Sequence, residues 1–168
     1  MGYDVSTVEG DRELSKEFAK KYHYDYLFDK ETGEFKGDAT VYFRMNIWGM
    51  AKLRDMVTVM ANKENITVDS FLRKFSWNDG EHVTPDEIDA ILSAFTDERI
   101  SQAAAYLTSA YRLSDPEEAG KRTRMTEAGN LEHYLMSEVE EANDLASAFA
   151  EFKEYLGIAS HLGGCKVW

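Results

Sequence analysis

Between Thr40 and Met60 the chain reads T-V-Y-F-R-M-N-I-W-G-M-A-K-L-R-D-M-V-T-V-M, and no other stretch restricts the fold as much. Its opening residues alternate, with Val41 and Phe43 on one side and Tyr42 on the other, which predicts a strand. From Ile47 onward the apolar residues Met50, Leu53, Met56 or Val57, and Met60 recur every three or four positions, which predicts a helix with a broad apolar stripe. Asn46 stands at the junction, where its side-chain oxygen can cap the first turn. A strand that feeds directly into such a helix belongs in the interior. Val41 to Met60 is therefore expected to form the centre of the core, with Trp48 packed against a neighbouring backbone that approaches at Gly49.

The flanking segments add a small sheet and more helices. Tyr3, Val5 and Thr7 alternate with polar residues, predicting an N-terminal strand that ends at Gly10. Leu14 and Phe18 give the segment from Asp11 to Lys21 one apolar helical face. Tyr22 to Phe28, the turn residues Asp29 to Gly33, and Phe35-Lys36 predict a hairpin. Thr67 is expected to cap a short helix through Phe71 and Phe75. Thr84-Pro85-Asp86-Glu87 has the form of a capping box with proline in the first turn. A helix restarts at Thr96, and its Ala103-Ala104-Ala105 run allows another helix to come close. Asp115-Pro116 and Gly120 predict a loop over 114–129. One long helix is expected from Asn130 to Leu156, with Leu131, Leu135, Val139, Leu145, Phe149 and Phe152 on its stripe. After Gly163-Gly164, the tetrad Cys165 to Trp168 is expected to dock beside the N-terminal strand. The reading is α+β: a single domain, 1–168, with a small antiparallel sheet packed against a bundle of about five helices.

Charge narrows the function. With 31 acidic residues against 19 basic, the chain carries a formal charge of -12, and its average surface repels phosphate and anionic lipid. Direct nucleic-acid binding depends on clustered Lys and Arg and is disfavoured, as is a membrane partner. Cys165 is the single cysteine, so no disulfide forms within the chain, and a reducing cytoplasm is the expected setting.

No residue pattern announces a catalytic centre. His23, His82, His133 and His161 are scattered without metal-ligand spacing, His161 and Cys165 alone lie near each other in sequence, and no phosphate-cradling glycine loop or nucleophile elbow occurs. No cofactor and no metal are expected. A carboxylate-histidine site of the helical-bundle type would need Glu where Asn130 stands. Two groups are candidates for partner binding. Tyr22, Tyr24 and Tyr26 form an aromatic platform, while Glu138, Glu141 and Asp144 form an acidic helix face. A non-enzymatic protein that binds another protein is the leading reading. A small carboxylate-based hydrolase and an acidic nucleic-acid mimic are the alternatives.

The opening M-G-Y-D-V, the segment V-Y-F-R-M-N-I-W-G-M-A-K-L and the ending G-G-C-K-V-W resemble small uncharacterised proteins carried by actinobacteria and their phages. The resemblance implies a bacterial cytoplasm and an accessory protein directed at a host protein. It assigns no catalytic residue and leaves the oligomeric state open.

Overall fold

A computed structural model describes residues 2–168. Strand β1 (Gly2–Gly10) leads into helix α1 (Arg12–Lys21), which Asp11 caps through the Leu14 amide. Strand β2 (Thr40–Asn46) runs without a break into helix α2 (Ile47–Lys63), and the Asn46 side chain accepts from the Gly49 amide at 2.7 Å as the sequence predicts. There follow α3 (Asp69–Lys74), the two-residue β3 (His82–Val83), α4 (Pro85–Leu92) and α5 (Asp97–Ser114). The hairpin β4 (Lys121–Met125) and β5 (Leu131–Leu135), the long α6 (Glu138–His161) and the terminal β6 (Cys165–Val167) complete the chain. The architecture is α+β, as expected.

The main sheet is antiparallel throughout, in the order β2-β1-β6-β3. The C-terminal tetrad does dock beside the N-terminal strand, with Val5 opposite Val167 and Thr7 opposite Cys165. Alternation then decides the faces. Tyr3, Val5, Val41, Phe43, Val83, Cys165 and Val167 point inward and are buried under α2 and α6. Phe43, Phe149, Phe152 and Tyr155 interlock at ring-centroid separations between 5.4 and 5.9 Å. The pairing of β1 with β2 shifts register between Ser6 and Gly10, and the Thr7 hydroxyl bridges the gap. It accepts from the Val41 amide at 2.9 Å and donates to the Glu9 carbonyl at 2.8 Å, so this buried polar side chain is satisfied.

The structure corrects several expectations. Leu53 and Met56 are buried, but Trp48 is 80% exposed, because it lies in the first turn of α2 beyond the edge of the sheet. A side chain at Gly49 would meet Met45 and Asn46 side chains rather than a neighbouring backbone. The hairpin expected from Tyr22 to Lys36 is replaced by a 3-10 turn at Asp25–Leu27 and a single bridge between Phe28 and Phe35. Two strands of a sheet need a common face to bury. Here Tyr24 turns inward instead, its hydroxyl accepting from the Arg44 amide at 3.3 Å and blunting the free edge of β2. Thr67 does not cap α3, whose N-cap is Val68. The helix expected from Asn130 begins only at Glu138, where Ser137 and Glu140 form a capping box. The segment expected as a loop over 114–129 holds β4, and Leu131 to Leu135 form its partner strand.

Candidate interaction surface

The β4–β5 hairpin is an arm that stands off the body. Pro116 and Gly120 end the run of α5, and Gly120 takes a backbone φ of +74°, with any Cβ there lying 2.4 Å from the Met136 carbonyl. At the tip, Gly129 adopts a φ of +80° and donates to the Thr126 carbonyl at 2.9 Å, closing the turn. The register is set by Lys121 opposite Leu135, Thr123 opposite His133 and Met125 opposite Leu131.

This register sorts the side chains by chemistry. One face carries Arg122, Arg124, Glu132 and Tyr134, and on it Arg124 donates to Glu132 at 2.7 Å while lying 5.0 Å from the centre of the Tyr134 ring. The opposite face carries Lys121, Thr123, Met125, Leu131, His133 and Leu135. Met125 is 62% exposed, Leu131 66% and Leu135 75%. An open cavity of about 660 Å³, lined by Lys121, Thr123, His133 and Leu135 among others, lies against the arm. Val139, at the start of α6, is exposed as well.

A two-stranded ribbon with no buried face is marginal on its own, so its root carries the load. Glu141 on α6 accepts from Arg122 at 2.5 Å and from Arg112 on α5 at 2.6 Å, with a carboxylate only 12% exposed. Arg112 also donates to the Met136 carbonyl at 2.7 Å. Glu141 was expected to face solvent with Glu138 and Asp144; it is instead the anchor of the arm, while Glu138 and Asp144 are exposed. Among the described residues no group of three or more His, Cys, Asp or Glu side chains converges as a metal site.

The tyrosines lie elsewhere. Tyr22 donates to Glu154, and Tyr24 donates to Glu151 at 2.7 Å, both farther along α6 than Glu141. Ten residues of helix separate Glu141 from Glu151, about 15 Å, so the two predicted groups are not one site. Burial, reinforced by Glu151, pushes the Tyr24 hydroxyl well above its ordinary range, and burial likewise raises Glu151. Burial also acts to raise Glu154, but Lys21 and Tyr22 overcome it and hold that carboxyl low. Tyr26 alone of the three is exposed. It stands edge-on to Tyr42, and with Asp4, Lys36, Asp38 and Trp168 it borders an open groove of about 430 Å³ on the outer face of the sheet. Cys165, which the sequence places four residues from His161, is buried, and burial pushes its thiol up to about 12.

Sequence reasoning missed Leu131 and Leu135 because they fit the stripe of a helix starting at Asn130, Arg122 and Met125 because their segment reads as a loop, and Arg112 because its partner Glu141 lies on another element. The Ser137-x-x-Glu140 capping box was the available signal that the helix starts later. No family model, curated protein or solved structure matches the chain.

Proposed function

We propose that this is a non-enzymatic accessory protein that works by protein–protein contact, and that the β4–β5 arm is its principal contact surface. One observation carries the reading: Met125 and Leu131, paired across the ribbon, and Leu135, beyond His133 on the same face, are open to solvent. Exposed apolar side chains grouped on one face of a charged protein are characteristic of contact sites. The anchoring of the arm through Glu141 supports the same reading, because it presents that face in a fixed pose without burying it. The resemblance of the termini and the central segment to actinobacterial and phage proteins supports a bacterial cytoplasm as the setting and a host protein among the targets.

A photo-crosslinking residue placed at Leu135, with a second chain carrying it at Tyr106 on α5 as the control, tests this in cells that make the protein. Both positions are exposed, so nonspecific capture is equal at the two. Discrete protein adducts at 135 and none at 106 are expected; any other pattern rejects the arm as the contact surface.

A further inference from the structure

Each strand of the arm has one edge bonded to its neighbour and one edge free. The Thr126 amide donates to Asn130 and the Met136 amide to Gly120, each at 2.8 Å, and these two bonds fix the alternation along the ribbon. Arg124 with Glu132 and Arg122 with Tyr134 are the hydrogen-bonded pairs. Leu131, His133 and Leu135 fall in the pairs between them and turn their N–H and C=O groups away from β4. Among the described residues the hairpin forms a sheet of its own, with no third strand on this edge. A free edge beside an exposed apolar face is a template for another strand.

Resting on the reading of the arm as a contact surface, we propose that its occupant is a second copy of this chain, with β5 pairing antiparallel to the partner's β5 about a twofold axis at His133. The sequence L-E-H-Y-L is self-complementary in this register. Leu131 lies opposite the partner's Leu135 on the same face, and Leu135 opposite the partner's Leu131. Glu132, already neutralised by Arg124, lies beside the partner's Tyr134. The outward groups of Leu131, His133 and Leu135 meet their counterparts as reciprocal hydrogen-bonded pairs. The resulting four-stranded sheet gathers Met125, Leu131 and Leu135 of both copies on one face.

Side-chain matching selects this edge over the other. Pairing β4 with itself about Thr123 would set Lys121 opposite the partner's Met125, a cation against an apolar side chain, where β5 sets leucine against leucine. Antiparallel pairing of β5 also places the two bodies at opposite ends of the joined ribbons. That separation limits repulsion between chains that each carry a formal charge of -12. The pairing is isologous and closes, so it yields a dimer rather than a fibre.

Two cysteine variants test the register. In a hydrogen-bonded antiparallel pair the Cα atoms lie about 5.5 Å apart, within reach of a disulfide. His133→Cys is expected to give a covalent dimer with oxidised glutathione. Thr123→Cys, on the opposite edge, and the native chain, whose Cys165 is buried, are expected to remain monomers under reducing-free denaturing electrophoresis. Equal crosslinking of the two variants, or none in either, overturns the proposal. A second pair of variants does not depend on oxidation. His133→Pro removes an outward amide without removing a backbone bond to β4, and is expected to weaken dimerisation measured by sedimentation at least tenfold, since the twofold axis doubles the loss. The Thr123–His133 side-chain contact is broken equally by Thr123→Pro, which so controls for it. Thr123→Pro is expected to leave it unchanged, and a monomeric native chain at every concentration overturns the proposal. Adducts at Leu135 that contain a different protein retain the arm as the contact surface while removing the second copy as its occupant, so the two readings fail separately.

Discussion

Arg122, on the arm, and Glu141, in the first turn of α6, are joined at 2.5 Å, and the same carboxylate also holds Arg112 of α5. Three elements therefore meet at one side chain. Because the ribbon buries neither face, this junction is expected to set the stability of the arm independently of the core.

Glu141→Gln keeps the shape of the junction and removes its charge. Both guanidinium groups, 25% and 35% exposed, then lose their anionic partner. The expected cost is about 2 kcal/mol, confined to the arm, which is about thirtyfold in amide protection. Hydrogen exchange should show faster exchange over 121–135 with no change in the buried half of α6. Uniform loss across the protein would show that the arm and core unfold together.

The Thr7 hydroxyl holds the Val41 amide where the β1–β2 ladder slips. Thr7→Val preserves volume and leaves that buried amide without an acceptor, for an expected loss of about 1–3 kcal/mol. Thr7→Ser keeps the oxygen and should lose less. Urea denaturation of the two variants distinguishes the hydroxyl from the methyl group as the source of stability.

How much of this was legible in the sequence depended on whether the signal was local. The Asn46 cap, the Thr84 capping box and the alternation of Tyr3, Val5 and Thr7 are short-range features, and each is found in the structure. The long helix failed because Leu131 and Leu135 satisfy a helical stripe and a strand equally well at a spacing of four. Only the Ser137 cap and the Gly129 turn separate the two. Trp48 failed for a different reason: its expected burial required a neighbouring backbone at Gly49, and whether one comes there depends on where the sheet ends, which no local pattern encodes. The pairing of Arg122 with Glu141, 19 residues apart, depends on the arm folding back, and so was invisible until the hairpin was known.

Glu87 links its own capping box to α3. It accepts from Lys74 at 2.7 Å, from Ser70 at 2.7 Å and from the Thr84 amide at 2.9 Å. Burial pushes its carboxyl upward, but these bonds outweigh burial and hold it at about 2, below the ordinary 4.5. A carboxyl depressed in the folded state adds stability above its unfolded pKa and loses it as pH falls. The contribution should therefore be complete above about 4.5 and fade toward about 2. Glu87→Gln is expected to be less stable than the native chain at neutral pH, with the difference closing across that window in denaturant titrations. A difference that stays constant with pH would assign the effect to packing.

Tyr155 is the opposite case, a buried hydroxyl whose polar neighbour is only a weakly bonding thiol. Its ring packs 5.4 Å from Phe43 and 5.9 Å from Phe18, fully buried, while its hydroxyl has no hydrogen-bond partner. Burying an unpartnered hydroxyl costs about 1–3 kcal/mol, whereas the ring contacts survive in phenylalanine. Tyr155→Phe is therefore expected to raise stability by about 1 kcal/mol, which for a domain of this size moves Tm up by about 2–4 °C. The Cys165 thiol is the polar group beside that hydroxyl. A lower Tm in the variant, together with faster alkylation of Cys165 in the native state, would show that the two groups hold each other after all.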